Sequence, residues 1–306
     1  MLDVALLGTG GMMPLPRRYL TSLYLRYNGN GVLIDCGEGT QMALRATGWS
    51  PKPIGTILLT HFHADHIAGL PGLLLTMGNA DRTEPVTIVG PKGVGRIVSA
   101  VRTIAPELPF EVRTREIEGR KETFEAEGLK VTAFYVQHRV PCFSYCVEVT
   151  RQGRFDPERA KAQNIPLQFW NPLQKGQVIE FEGRTLTPEM VLGEERKGIK
   201  VVYSTDTRPT EDIVQYATGA DLLICEGMYG DPEKAEDAVH KKHMTMQEAC
   251  RIAAKAEPEE LWLTHYSPSV PRAEVYLDEL KEIFPRVVTA RDGRVQELRF
   301  ADEEKE

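Results

Sequence analysis

Residues 60–66 read T-H-F-H-A-D-H, and this stretch is the most informative segment of the chain for its fold. The motif follows the apolar run GTILL at 55–59 and precedes IAGLPGLLL at 67–75. These flanks predict a strand before the motif and a helix after it, with the motif on the connecting loop. The motif contains four ligand-type side chains: His61, His63, Asp65 and His66. Imidazole and carboxylate are the usual ligands of zinc in hydrolytic sites, so the cluster predicts a metal site.

Further ligand-type and acidic side chains follow other predicted strands. The apolar runs VTAFYVQ, KVVYST, DLLIC and LWLT are followed directly by His138, Asp206, Glu226 and His265. His240 and His243 precede a predicted helix, so every histidine is expected on a loop. Because ligand sites of open α/β sheets form at the carboxyl ends of strands, these side chains are expected to converge. One catalytic zinc takes about four ligands, so the larger set favours two metals that share a carboxylate.

Short apolar runs and helical patterns alternate along most of the chain, which predicts an α/β fold. Strands are predicted at 4–7, 22–26, 32–35, 56–60, 86–89, 131–137, 201–204, 222–225 and 261–264. Helices are predicted at 40–46, 67–77, 93–103, 245–255 and 273–283. Thr245 and Glu248 have the T-x-x-E spacing of a helix capping box. A polar stretch at 151–176 predicts an inserted substrate arm, at about 150–176, within a single domain that covers residues 1–306.

Composition and charge exclude several classes of protein. The chain has 306 residues, 42% hydrophobic and 26% charged, as in ordinary globular domains. Its five cysteines form no C-x-x-C pair, which favours free thiols in a reducing cytoplasm. The N-terminal MLDVALLGTGG is not typical of a signal peptide, and no apolar run is long enough to predict a membrane span. A net charge of −7 does not indicate a general nucleic-acid-binding surface, although bound cations or a local basic patch would reverse the sign locally.

The chain resembles ribonuclease Z, the tRNA 3′-end endonuclease family of the metallo-β-lactamase superfamily. The matching segments are LLGTGG (6–11), LIDCGEGTQ (33–41), THFHADHIAGLPGLL (60–74), HRVPCFSY (138–145), STDTRP (204–209), LLICEG (222–227), HKKHMTMQEA (240–249) and THYS (264–267). They follow the family's order and span nearly the whole chain. HxHxDH alone marks the superfamily, whereas GEGTQ, GLPGLL and DTRP together are more specific. The fold that the resemblance implies is an α/β αββα sandwich of two similar halves.

The resemblance also implies a metal assignment. One zinc would be bound by His61, His63 and His138, the other by Asp65, His66 and His265, and both by Asp206. The expected cofactor is two Zn²⁺ per chain, with Mn²⁺ or Fe²⁺ as alternatives. Asp65 would in addition orient the attacking hydroxide as a base, and His243 and Glu226 match a pair that assists at the scissile phosphate and leaving group.

Three further features are expected near the predicted metal site: His243, Asp35 and the segment at 8–13. His243 precedes a capped helix, whose free N–H groups and dipole favour a phosphate. Asp35 follows the strand at 32–35 and either supports metal ligands, as the resemblance implies, or caps a helix. The segment GTGGMM at 8–13 lacks the spacing of a dinucleotide fingerprint and is predicted as a tight loop near the site. No role is assigned to His240.

Three departures from the family pattern concern substrate handling. The stretch IPLQFWNPLQKG at 165–176 lacks the Gly-Pro segment of the family's arm, and the segment after His265 carries its arginine at the displaced position Arg272. In the N-terminal loop, Arg17 and Arg18 stand where the family has an Arg-Asn pair. The arm keeps basic and aromatic residues, which either hold RNA or form a solvated helix with a hydrophobic anchor: Arg151, Arg154, Phe155, Arg159, Lys161, Phe169 and Trp170.

The main functional hypothesis is a zinc-dependent phosphodiesterase that acts on pre-tRNA 3′ trailers. The alternative is a hydrolase of small phosphodiesters or other esters that does not process tRNA. A di-iron redox protein on the same fold would favour a glutamate where His63 stands, and a non-catalytic binding module does not need the full ligand set. The expected partners are therefore RNA or a small phosphodiester, with no membrane. The resemblance allows a homodimer.

Overall fold

The protein contains two seven-stranded sheets, and its computed structural model describes residues 1–194 and 196–301. The first sheet contains β1 (Leu2–Gly8), β2 (Ser22–Tyr27), β3 (Asn30–Ile34), β4 (Ile54–Leu58), β5 (Val86–Gly90), β6 (Val112–Glu116) and β16 (Arg294–Leu298). The second contains β7 (Lys121–Ala126), β8 (Leu129–Val136), β9 (Cys142–Val149), β12 (Ile199–Ser204), β13 (Leu222–Glu226), β14 (Leu261–Thr264) and β15 (Val287–Thr289). A separate hairpin is formed by β10 (Ile179–Phe181) and β11 (Arg184–Leu186).

The two sheets have the same pairing pattern. Their strand orders are β16-β1-β2-β3-β4-β5-β6 and β7-β8-β9-β12-β13-β14-β15. In each sheet the first four strands pair antiparallel and the fourth to seventh pair in parallel. The fourth strands, β3 and β12, therefore mark equivalent positions where the pairing changes. This equivalence confirms the expectation of two similar halves.

Helices follow the parallel strands in both halves. The first half has α1 (Thr40–Thr47), α2 (Ala64–Ile67), α3 (Leu70–Asn79) and α4 (Val94–Arg102). The inserted segment has α5 (Pro157–Ala162) and α6 (Trp170–Gln174), and the second half has α7 (Glu211–Ala217), α8 (Ala235–Lys241), α9 (Met246–Ala256) and α10 (Leu277–Ile283). Short 3-10 turns lie at Leu167–Phe169, Pro188–Met190, Pro232–Lys234 and Ala273–Tyr276.

One hydrophobic core lies between each sheet and its helices. Leu44, Leu73 and Val98 of α1, α3 and α4 belong to the same buried cluster as strand residues of the first sheet. Residues of α7, α9 and α10 share a second cluster with strands of the second sheet. The central strands are buried along nearly their whole length, as expected for strands covered on both faces. The predicted αββα sandwich of the metallo-β-lactamase fold is confirmed.

Several predicted elements differ from the structure. The single helix predicted at 67–77 is wrong: α2 ends at Ile67 and α3 begins at Leu70, because Gly69 and Pro71 favour a new helix start there. The strand predicted at 56–60 ends at Leu58, and the segment 273–283 divides into a 3-10 turn and α10. The capping box of Thr245 and Glu248 is confirmed, with both reciprocal hydrogen bonds present.

The inserted segment forms a compact unit of its own, made of the described residues within 150–198 together with Phe300 and Ala301. It extends well beyond the arm expected at 150–176. Its small core includes Ala160, Ile165 and Leu173. The three arm aromatics Phe155, Phe169 and Trp170 pack against this core, and the indole N–H of Trp170 donates to Ile165 O at 2.9 Å. These contacts favour the hydrophobic anchor, one of the two interpretations of the arm that the sequence left open.

The sequence predicted free thiols and no membrane span. All five cysteines are free and buried, as expected for thiols that act as small apolar side chains: Cys36, Cys142, Cys146, Cys225 and Cys250. Among the helices that the structure describes, none is long and apolar enough to span a bilayer.

Candidate metal centre and active site

The motif at 60–66 occupies the turn between β4 and α2. His61 lies on the loop, His63 is the residue that precedes α2, and Asp65 and His66 lie on α2 itself. The expectation that every histidine lies on a loop is therefore wrong for His66. Cys36 N donates to His66 O at 2.7 Å, which fastens the turn to the segment after β3.

One group of donor atoms is formed by His61, His63, His138 and Asp206, and all four atoms lie within 4.8 Å of one another. His61 Nε2 lies 2.9 Å from His63 Nδ1, and His138 Nε2 lies 3.4 Å from the same Nδ1. Asp206 Oδ2 lies 3.7 Å from His61 Nε2 and 3.8 Å from His138 Nε2. The loops after β4, β8 and β12 thus meet here.

A second group is formed by Asp65, His66 and His265, again within 4.8 Å. The two imidazole Nε2 atoms lie 3.3 Å apart, and Asp65 Oδ2 lies 3.4 Å from that of His265. The other carboxylate oxygen of Asp206, Oδ1, lies 3.1 Å from His66 Nε2 and 3.0 Å from His265 Nε2. Asp206 therefore faces the first group with one oxygen and the second with the other.

The donors of both groups fit divalent cations. Asp206 Oδ1 is buried and makes no hydrogen bond of acceptable geometry within the described residues. The nearest imidazole nitrogens are His66 Nε2 at 3.1 Å and His265 Nε2 at 3.0 Å. A buried carboxylate oxygen without a hydrogen bond is unfavourable unless another positive partner binds it. Imidazole nitrogen with carboxylate oxygen is the donor set that zinc prefers.

Burial and neighbouring charges shift the pKa values of the donor side chains in different directions. Burial lowers the pKa of His61, His63 and His138, so these rings are neutral at pH 7, the form that binds a metal. Burial opposes ionisation of Asp206, but the neighbouring rings, led by that of His265, hold the pKa of this carboxyl well below its usual range. Burial also opposes the charged form of His66, but Asp206 and Asp35 outweigh this effect and raise the pKa of the ring well above its usual value.

Asp35 holds the ligand-bearing turn from behind. Its Oδ2 lies 2.8 Å from His66 Nδ1, and its Oδ1 accepts a hydrogen bond from Thr60 N at 2.8 Å. Asp35 is fully buried, and it does not cap α1, whose preceding residue is Gly39. Of the two alternatives for Asp35, the contacts favour support of the candidate ligand His66, since such partners fix the ring orientation.

Asp35 and Asp206 occupy equivalent places in the two halves. Asp35 directly follows β3, and Asp206 lies two residues beyond the end of β12. Both have a left-handed backbone, with φ of 59° and 49°. Such a conformation costs a non-glycine residue about 1 kcal/mol, so the surrounding structure must impose it. At the point where pairing changes from antiparallel to parallel, one half supplies the carboxylate that contacts His66 Nδ1 and the other the carboxylate that faces both donor groups.

His243 and Glu226 form a buried pair beside the donor groups. Glu226 Oε2 lies 2.9 Å from His243 Nδ1, and its Oε1 accepts from Thr207 N at 2.5 Å. Burial opposes the charged ring, but Glu226 raises the pKa of His243 to about 9. His243 Nδ1 lies 3.9 Å from Asp206 Oδ2, which is farther away than Glu226 Oε2. The contact with Glu226 therefore favours the charged form of the His243 ring.

The glycine-rich N-terminal loop lies at the same site, as expected. Met12 N donates to Asp65 Oδ2 at 2.7 Å, and Gly11 N donates to Tyr266 O at 3.0 Å. A Cβ atom on Gly11 would lie 2.8 Å from Cε1 of His265, so only glycine allows this approach. The contact of Met12 N with Asp65 is a feature that the sequence did not indicate.

Other sequence-derived candidates lie elsewhere. His240 is exposed on α8, so its predicted position on a loop before a helix is wrong. Arg18 donates to the carbonyls of Val270 and Pro271 at 2.7 and 3.0 Å, which joins the N-terminal loop to the segment after His265. Arg17 is exposed.

Comparisons with known proteins concern the family and the fold of the chain. Residues 16–154 match the family described as the metallo-beta-lactamase superfamily, and residues 146–266 match a beta-lactamase superfamily domain. A protein of Agathobacter rectalis named ribonuclease Z is 57% identical over 99% of this chain and 100% of that protein. Another of that name, from Lachnoclostridium phytofermentans, is 55% identical over 98% of this chain and 99% of its own length.

The chain belongs to the ribonuclease Z family.

A solved structure agrees with this membership. Human tRNase Z, short form, matches with a TM-score of 0.70 at 26% identity, covering 97% of this chain and 100% of that one. The family resemblance derived from the motifs is confirmed, and the chain is a metal-dependent hydrolase of the metallo-β-lactamase fold. Membership of the ribonuclease Z family disfavours the di-iron redox and non-catalytic alternatives.

Proposed function

We propose that this protein cleaves pre-tRNA at its 3′ end and removes the trailer. The observation that carries the proposal is the approach of two donor groups to the two oxygens of one carboxylate, that of Asp206. The support for the substrate is the name of its relatives, ribonuclease Z, and the likeness to human tRNase Z. A phosphodiester is the bond that two adjacent cations and a nearby proton donor suit best.

The proposed cofactor is a pair of zinc ions. One would be held by His61, His63 and His138, the other by Asp65, His66 and His265, and both by Asp206. Zinc is preferred over manganese or iron because five of the seven donors are imidazole nitrogens. Bound zinc lowers the pKa of water toward neutrality and neutralises charge on the phosphoryl oxygens.

The chain's own residues would then manage two protons. Asp65 accepts a hydrogen bond from Met12 N, which fixes its carboxylate, and it would orient the attacking water as a base. His243, charged by its contact with Glu226, would donate a proton to the leaving ribose oxygen. Thr207 N would keep Glu226 in place during this transfer.

A cleavage assay with two substrates tests the proposal. The zinc-loaded protein is incubated with a pre-tRNA that carries a 3′ trailer and, separately, with bis(p-nitrophenyl) phosphate. The expected result is release of the trailer at the end of the acceptor stem, lost with a chelator and restored by zinc. Turnover of the small diester with no binding or cleavage of the pre-tRNA would instead establish the alternative, a hydrolase of small esters.

Assembly and location are further parts of the proposal. The five buried free thiols agree with a reducing cytoplasm, where RNA is processed. A homodimer is proposed from the family resemblance, and sedimentation of the full chain tests it. A single species with the mass of one chain at micromolar concentration would contradict the dimer.

A further inference from the structure

Arg208 of the STDTRP motif makes a set of contacts that the proposed reaction does not use. Its Nη1 donates to the backbone carbonyl of His243 at 2.5 Å and to Glu248 Oε2 at 3.0 Å, while its Nη2 donates to Glu248 Oε1. The side chains of Arg208 and Glu248 are only 15% and 21% exposed. A two-pronged, largely buried pair of this kind defines position more strongly than a surface ion pair.

Glu248 connects this pair to the start of α9. Its Oε2 accepts a hydrogen bond from Thr245 N at 2.9 Å, and Glu248 N donates to Thr245 Oγ1 at 3.2 Å. The segment 243–245 is thus held by Arg208 at its first residue and by the capping box at its last. These two restraints share the carboxylate of Glu248 but can be removed separately.

The backbone of Arg208 joins two donor-bearing segments. Its N–H donates to Gln137 O at 3.0 Å, and Gln137 N donates to Thr207 Oγ1 at 3.0 Å. Gln137 directly precedes His138, and Arg208 lies two residues after Asp206. Arg208 therefore lies where the segments of His138, Asp206 and His243 meet.

We propose that Arg208 is a positioning residue that fixes the backbone of His243, and that Glu248 orients the guanidinium. The inference deepens the proposed function and rests on it for the role of His243. Glu226 restrains the ring of His243 through Nδ1, whereas Arg208 restrains the main chain that carries the ring. Both restraints are required, because a ring held at one nitrogen still moves when its backbone moves.

The test compares four variants: Arg208→Met, Arg208→Lys, Glu248→Gln and, as the matched control, Thr245→Ala. Arg208→Met removes the contact with the carbonyl of His243. Glu248→Gln keeps a side chain that still completes a capping box but removes the charge that orients Arg208. Thr245→Ala weakens the cap and leaves Arg208 paired with Glu248.

Two substrates separate positioning from a general structural defect. Cleavage of pre-tRNA needs a proton on a poor leaving group, whereas p-nitrophenolate leaves bis(p-nitrophenyl) phosphate without one. Arg208→Met is expected to lower kcat on pre-tRNA by about tenfold to a hundredfold, as for a displacement of about 1 Å. Its KM, its zinc content and its rate on the small diester are expected to stay close to wild type. Arg208→Lys and Glu248→Gln are expected to give intermediate losses. Thr245→Ala is expected to lower Tm and to change kcat much less than Arg208→Met, because Arg208 still holds the carbonyl of His243.

Two further measurements test whether the effect of Arg208 passes through His243. In a His243→Ala background, Arg208→Met is expected to cause no additional loss of kcat, because its effect passes through His243. Backbone amide exchange at 243–246 is expected to be faster in Arg208→Met and Arg208→Lys than in wild type, with or without substrate.

Several outcomes overturn the inference. These are an unchanged kcat in Arg208→Met, equal losses on both substrates together with loss of zinc, or unchanged amide exchange at 243–246. If wild type does not cut pre-tRNA, the proposed function fails, and amide exchange still decides whether Arg208 positions His243. If Arg208→Met does not fold, the same criteria apply to Arg208→Lys.

Discussion

Asp35 Oδ2 lies 2.8 Å from His66 Nδ1, and this contact turns the other ring nitrogen of His66 toward the donor group. Asp35 itself belongs to neither donor group. The contact therefore separates residues that would bind a metal from residues that orient the binding side chains.

Asp35→Ala is expected to lower zinc affinity by about tenfold to a hundredfold, because the ring of His66 loses its orienting partner. Competition with a chromogenic chelator measures the affinity. Ser22→Ala is the control, since Ser22 Oγ donates to the backbone carbonyl of Asp35 and not to its carboxylate. Equal zinc affinity in Asp35→Ala and wild type would refute the supporting role.

Gly11→Ala is expected to displace His265 and to lower zinc binding, because the added Cβ would lie 2.8 Å from Cε1 of the ring. Zinc content by elemental analysis and activity are both expected to fall. Gly95→Ala is the matched control: its Cβ meets only Thr114 Oγ1 at an ordinary 3.4 Å, on the helix α4. The control is expected to gain roughly 0.5–1 kcal/mol of stability. Full zinc occupancy in Gly11→Ala would contradict the proposed contact.

His63→Ala is expected to abolish activity and sharply lower zinc content, because Nδ1 of His63 lies within the first donor group. His63 is partly exposed, so a large loss of fold stability is not expected. His240→Ala is the matched control, since this exposed histidine on α8 belongs to neither donor group. Activity retained in His63→Ala, or lost in His240→Ala, would show the assignment to be wrong.

His243→Ala is expected to lower kcat on pre-tRNA by about 10²- to 10⁴-fold, the usual contribution of a positioned acid. Both zinc ions are expected to remain bound, because His243 Nδ1 is engaged by Glu226. Elemental analysis beside single-turnover kinetics makes the comparison. Loss of metal in this variant would make His243 a ligand instead.

The pH dependence of stability follows from the pair of His243 and Glu226. The pKa of His243 is raised from 6.5 to about 9, so its contribution is fully present below pH 6.5 and is lost as pH rises through about 9. In chelator-treated protein the pair is expected to supply a few kcal/mol, on the order of 3, of this pH dependence. Denaturant unfolding of wild type and Glu226→Gln at several pH values measures it. The difference between the two proteins should shrink above pH 9, and a difference independent of pH would contradict the pairing.

Much of the fold could be predicted because its signals are local. The run at 245–255 combines helical periodicity with the T-x-x-E spacing, and α9 forms there with its capping box. The strands β6 and β7 gave no apolar signal, since VRTRE and KETFEA are polar and partly exposed at the sheet edges. The helix break at Gly69 was missed because an apolar period continues across it.

For the candidate site, the sequence could supply the residue types but not their partners. Asp35 fits a helix cap or a ligand support equally well in sequence, and only its distance to His66 separates the two. Arg208 lies in a motif that is visible in the sequence. Its contact with the carbonyl of His243 spans 35 residues and has no local signal.

The sequence by itself determined the α/β class and the candidate donor side chains, and its motifs carried the family resemblance that implied two similar halves. These signals are available because motifs, periodicity and side-chain chemistry are properties of short segments. Only the tertiary structure decided which donors face each other. His66 and His265 are 199 residues apart, and their Nε2 atoms meet at 3.3 Å because of strand order and register in two separate sheets. Those long-range pairings arise from packing of the whole core, which no single segment encodes.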